Sequence, residues 1–99
     1  MAVDCQIIAE IHGRTGEIID PHTAVGLGAA AACRRDPTVP MISLATAHPA
    51  KFPDAVEAAI GIRPPLPAHL ADLFERPEHL VTLPNDLDVI RAYIDTTLG

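Results

Sequence analysis

Apolar residues recur at helical spacing from the first positions of the chain, at Val3, Ile7, Ile8 and Ile11, and this predicts an amphipathic helix over residues 3–12 ending at Gly13. Glu17-Ile-Ile19 is too short for more than an extended link. It delivers the chain to Asp20-Pro-His-Thr23, a strong helix start: Asp20 can accept hydrogen bonds from first-turn amides, and Pro21 suits the first helical position, where its missing donor would be unpaired anyway. The helix predicted from residue 21 to about Arg35 is built from Ala24, Gly26, Gly28 and Ala29 to Ala32, with only Val25 and Leu27 as bulkier apolar groups. Each interior glycine costs about 1 kcal/mol relative to alanine, so close approach to a sheet or a ligand is expected to offset them.

Asp36-Pro37 ends that helix, and the apolar run Met41 to Ala45 predicts a strand buried on both faces, as in a parallel sheet. A turn, Thr46 to Lys51, follows. Asp54 is the expected cap of a short helix carrying Val56, Ala59 and Ile60 and stopping at Gly61. Pro64, Pro65 and Pro67 make a stiff link, because fixed φ and lost donors exclude a helix interior or a central strand. A helix over Ala68 to Glu75, a second strand over Leu80 to Leu83, and a last helix capped by Asn85 with Leu87, Ile90, Ile94 and Leu98 facing inward complete the prediction. The fold class is α/β, about five helices and two strands belonging to an open, mainly parallel sheet. Two strands alone cannot satisfy their edges or cover both faces. The chain also starts in a helix with no strand before it. Residues 1–99 therefore read as one segment, incomplete alone and expected either to complete a larger sheet or to self-associate through unpaired edges.

The composition narrows this picture. With 99 residues and 48% hydrophobic content the chain is long enough for one core, though a domain of this size buries only roughly 60 to 70% of its unfolded surface. Net charge is −6, and apart from Arg34-Arg35 the seven basic residues are scattered, which argues against nucleic acid as a partner. No apolar stretch approaches the ~20 residues of a membrane span, and no charged-then-apolar leader is present. A soluble, cytoplasmic protein is expected. Cys5 and Cys33 lack CxxC spacing and sit among apolar helical neighbours, so two buried thiols are expected rather than a disulfide.

Candidate chemistry gathers after the first strand. Thr46, His48 and Lys51, the chain's only lysine, follow its carboxyl end, where open α/β sheets place ligand sites. If the preceding helix packs antiparallel to that strand, His22 and Thr23 at the helix start converge on the same place, and the free amides there favour a small anionic ligand or cofactor. The alternative is purely structural: Thr46 caps the next turn, His48 bonds locally and Lys51 is solvated. Metal is not expected, because His22, His48 and Cys33 lack the close spacings of known sites and Cys33 lies about three helical turns from His22. His69 and His79 read as surface residues. Ser43 lies inside a strand and no G-x-S-x-G elbow exists. A Schiff base from Lys51 to pyridoxal phosphate finds no glycine-rich phosphate cup, since Gly26-Leu-Gly28 is in mid-helix.

At these residues the chain resembles a known family. Asp20-Pro-His-Thr-Ala-Val-Gly26, Leu44-Ala-Thr-Ala-His-Pro-Ala-Lys-Phe52 and Leu83-Pro-Asn85, in that order and spacing, closely match the C-terminal part of the threonine synthase family, and the likeness extends over essentially the whole chain. The resemblance implies a pyridoxal 5'-phosphate enzyme of the tryptophan-synthase β type, two open α/β domains with the cofactor between them. It also implies conversion of O-phospho-L-homoserine and water to L-threonine and phosphate by γ-elimination followed by β-addition of water. The imine lysine and phosphate loop belong to the family's earlier sequence, so the resemblance implies a C-terminal fragment, inactive alone, whose partner is the missing N-terminal part and which holds no catalytic residue itself. Thr46 matches the threonine that hydrogen-bonds the cofactor's pyridine nitrogen. Ala47 and His48 would form the wall beside it, His22 and Thr23 would border the site, and Lys51 would orient the turn or meet a phosphate. The competing expectations are a stand-alone, non-catalytic small-molecule-binding α/β module and a structural dimerisation piece.

Overall fold

A computed structural model describes residues 2–99, as four α-helices joined by extended segments and single 3-10 turns. The helices are α1 (Val3–Thr15), α2 (Pro21–Cys33), α3 (Pro53–Ile60) and α4 (Leu87–Leu98). Helix α1 runs past Gly13, because Gly16, with φ 77°, supplies the left-handed stop and its amide donates to His12 O. Helix α2 begins on Asp20 and Pro21 as expected and ends at Cys33, where Arg34 turns extended. Helix α3 starts on Phe52 and Pro53, so Asp54 falls in its first turn instead of capping it. There Asp54 and Glu57 accept from Arg63 Nη1 at 3.0 and 2.7 Å and tie the proline link back to the helix. Gly61, with φ 70°, closes α3 as read from the sequence.

Helices α2 and α3 both pack on α1, and Ile8, Ala24 and Val56, one from each, are fully buried. The small residues of α2 are what allow this. A Cβ on Gly28 would meet Ile7 Cδ1 at 2.5 Å, and one on Gly26 would meet Ser43 Oγ at 3.1 Å. The thin helix is thus pressed between α1 and the extended segment that follows it.

Further expectations are corrected. Met41–Ala45 and Leu80–Leu83 carry no regular secondary structure and form no strand among the described residues, because a ladder needs a neighbouring backbone and this chain brings none alongside. The two-strand sheet is therefore absent. Ala68–Glu75 forms two 3-10 turns, Ala68–Leu70 and Leu73–Glu75, instead of one helix. Helix α3 is equally short but buries Val56 against α1, whereas this stretch leaves Leu73 and Phe74 exposed and has no packing to offset helix nucleation; Arg76 instead braces it by donating to Asp72 at 2.6 Å and to His69 O. The cap of α4 is Asp86, whose carboxylate accepts from the Asp88 and Val89 amides, not Asn85. The thiols are not both buried: Cys5 is half-buried with its Sγ 4.0 Å from Ala55 O, and Cys33 is exposed.

The apolar face of α4 is likewise open, with Leu98 82% exposed and only Ile90 half-buried. Ile42 and Leu80 are each 83% exposed. The consequence shows in the whole surface. It measures 7763 Å² for 10.5 kDa, against roughly 5,400 Å² for a folded monomer of that mass. The radius of gyration is 18.9 Å, where about 13 Å is usual at this length.

Replacing Gly28 by Val should loosen α1 from α2 and cost roughly 1–3 kcal/mol, read as an earlier helical melt by circular dichroism. Gly26→Ala, which meets only the Ser43 hydroxyl, a tight contact that a turn of that side chain relieves, should stay within about 1 kcal/mol of the parent.

Candidate functional site

Asp20 is fully buried, and both of its oxygens are engaged. Oδ1 accepts from the Thr23 amide at 3.2 Å and from the Thr23 hydroxyl, while Oδ2 accepts from the His22 amide at 3.0 Å and lies 3.1 Å from His22 Nδ1. Burial alone would push this carboxyl's pKa up. The hydrogen bonds from Thr23 and His22 outweigh burial and hold it below its ordinary value of 3.8. A carboxylate thus fills the start of α2. The free-amide anion seat expected there is already taken by the chain's own Asp20.

His22 points the other way, with 63% of its side chain exposed. Its ring packs against Phe52, centroids 4.8 Å apart at 56°, so the helix start and the turn after residue 45 do meet. In that turn, His48 Nδ1 accepts from the Ala50 amide at 3.1 Å and caps the 3-10 turn Pro49–Lys51. A neutral His48 therefore carries its proton on Nε2. Thr46 and Lys51 are exposed, Ala47 is half-buried, and Thr23 is buried with its hydroxyl turned inward onto Asp20. The structure brings His22 to the turn and sends Thr23 to the helix cap. Sequence reasoning missed that Asp20 grips the His22 ring as well as the backbone, and that Phe52 is the point of contact; the His at the second helical position after an Asp cap is the signal that carried the first.

An open cleft of about 430 Å³ borders the turn, lined by Glu17, Ile18, His48, Pro49, Pro64 and Leu66 among others. A larger groove, about 730 Å³, lies between α1 and α2 and is mainly apolar, with Ile7, Ile11, Leu27 and Met41 in its walls. The cleft matters more for chemistry, because the groove holds none of the candidate residues. Among the described residues no three His, Cys, Asp or Glu side chains gather as a metal site, and no helix is long and apolar enough to cross a membrane.

The helix start and the turn after residue 45 thus meet at His22 and Phe52, and His48 of the same turn lines the cleft. Comparison with known proteins gives the family. Residues 23–94 match the family described as threonine synthase, C-terminal, and the chain belongs to that family. Threonine synthase of Pseudomonas aeruginosa is 57% identical over 91 residues, which cover 91% of this chain and 19% of that protein. Threonine synthase of Corynebacterium glutamicum is 41% identical over 87 residues, covering 88% and 18%. The crystal structure of pyridoxal-phosphate-bound threonine synthase from Brucella melitensis superposes with a TM-score of 0.76 at 43% identity, over 94% of this chain and 20% of that one. The chain thus spans about a fifth of the length of the relatives it matches.

Asp20→Ala should cost about 1–2 kcal/mol for the lost cap alone. Because the folded-state pKa of Asp20 lies below 3.8, its ionised form adds stability above that value and gives it up as pH falls through the lower, folded-state pKa. Thermal melts stepped down from about pH 7 should therefore show an acid loss of stability that Asp20→Asn diminishes.

Proposed function

We propose that the chain is the C-terminal segment of a threonine synthase, converting O-phospho-L-homoserine and water to L-threonine and phosphate, and that it forms one wall of the cofactor site. The observation that carries this reading is the family match over residues 23–94, which includes the whole Thr46 turn. Shape agrees with it. An excess of roughly 2,300 Å² over a monomer's expected surface is the amount one side of a large obligate interface would cover. The partner is then the remaining four-fifths or so of the enzyme, a cytoplasmic α/β protein, against whose strands Met41–Ala45 and Leu80–Leu83 pair to complete a mainly parallel sheet.

The donors present suit one edge of pyridoxal phosphate. Thr46 offers an exposed, neutral hydroxyl, which can meet a ring nitrogen without enforcing its protonation as a carboxylate would. Ala47 is small enough to let a flat ring lie close, and His48 stands beside it with Nε2–H as its free donor. Lys51, exposed one turn on, is a cation that can face a phosphate. The bound cofactor would supply an electron sink for charge developing on the substrate's carbon atoms. Thr46 sets the polarity at the ring edge, and the wall of Ala47 and His48 keeps water to one side. The lysine that anchors the cofactor and the glycine-rich loop for its phosphate are roles for the partner polypeptide.

Phosphate release from O-phosphohomoserine should require this chain together with the preceding portion of a close relative. An assembled, folded pair that turns over nothing would remove the reading, and tight pyridoxal phosphate binding by the chain alone would favour the stand-alone module. On assembly, amides of residues 41–45 and 80–83 should become protected from hydrogen exchange. Thr46→Val should lower turnover roughly 2- to 10-fold, the worth of one hydrogen bond, without impairing assembly; unchanged kinetics would withdraw the Thr46 assignment.

A further inference from the structure

A helix cap needs one side-chain oxygen, yet Asp20 uses two. Oδ1 serves the Thr23 amide and hydroxyl, and Oδ2 lies 3.1 Å from His22 Nδ1 as well as 3.0 Å from the His22 amide. An ionised carboxylate can only accept, so the hydrogen on this contact belongs to Nδ1. The imidazole is then held twice, by Asp20 at Nδ1 and by the tilted Phe52 ring, 4.8 Å between centroids. Its one uncommitted polar atom is Nε2. Burial runs the same way: the carboxylate is wholly buried while the imidazole is 63% exposed at the junction of α2 with the Thr46–Phe52 turn. A charge inside, a fixed ring and a free lone pair outside is the arrangement that orients a histidine for proton exchange.

We infer that Asp20 is a positioning residue for His22, holding the proton on Nδ1 so that Nε2 accepts a proton from the substrate's ammonium group or from the water that is added. This rests on the threonine synthase reading for its substrate. The proton leaves an N–H or O–H bond for Nε2, and the electron pair of that bond stays on the nitrogen or oxygen. The resulting imidazolium keeps its Nδ1–H on Asp20, whose negative charge offsets the new positive one. Pro21 and Thr23 assist by fixing the helix start from which the ring projects. On the turn packed against His22, Lys51 and His48 are the nearby ionisable groups in sequence, and His48 already has its Nδ1 committed to the Ala50 amide.

The test uses the assembled enzyme labelled with ¹⁵N-histidine, the His22 signal being assigned by its loss in His22→Gln. The Nδ1–H tautomer is expected, and an Nε2–H tautomer overturns the inference without recourse to any activity. Asp20→Asn keeps an oxygen for the Thr23 amide and sets an NH₂ group against Nδ1, at the cost of the acceptor for the His22 amide. It should switch the tautomer and lower kcat about 10- to 100-fold with little change in KM; an unchanged tautomer and kcat would overturn the inference. Should that variant not assemble, His22→Ala decides: added imidazole should restore part of its turnover, and no restoration counts against the proposal. Absence of phosphate release by the wild-type assembly would instead remove the threonine synthase reading, which the tautomer measurement does not address.

Discussion

The buried Asp20 carboxylate is the interaction on which the ordered part of the molecule turns. A charge taken out of water must be matched by hydrogen bonds or it is lost to protonation, and here the matching comes entirely from the two residues that open α2, His22 and Thr23. Fixing those residues sets the direction of α2. That direction lets Gly28 meet Ile7 on α1 and Gly26 meet Ser43 on the extended segment, and it carries the His22 ring to Phe52. The three buried apolar residues, Ile8, Ala24 and Val56, are the small core that this geometry closes.

Beyond that core the chain is governed by what it does not contain. Helix α4 presents Leu87, Ile94 and Leu98 to solvent, and the segments about Ile42 and Leu80 stand open with their backbones unpaired. Apolar area left in water contributes nothing to stability, at roughly 25 cal/mol per Å² forgone. Membership of the threonine synthase family, of whose proteins this chain spans about a fifth, gives the physical sense of that arrangement. On the function proposed above, these are the surfaces that meet the rest of a larger α/β enzyme, with the Thr46 turn as one wall of the shared site.

Much of this was legible in the order of residues. Asp20-Pro21 announced α2, Gly61 ended α3, and the glycines of α2 called for close approach, because each of these signals is local chemistry between near neighbours. The Thr46–Lys51 turn and its link to His22 were also legible, through motif order and the antiparallel return of a helix on the segment after it. Less readable were the stop at Gly16 instead of Gly13, the Asp86 cap and the collapse of Ala68–Glu75 into two 3-10 turns. At the two helix ends, nearby residues offered similar stops or caps, and in Ala68–Glu75 the apolar side chains found nothing to pack on, so no tertiary contact offset helix nucleation.

Sequence by itself determined the start of α2, the stop of α3, the apolar stripes, the acidic balance and the family, since all follow from residue types at fixed spacings. Tertiary structure decided two things. It left Met41–Ala45 and Leu80–Leu83 without a ladder, because strand pairing depends on a neighbouring backbone that no residue within a segment can supply. It also divided Thr23 from His22: one hydroxyl turned inward to a buried carboxylate, one ring held outward between that carboxylate and Phe52, a partition set by burial and not by order in the chain.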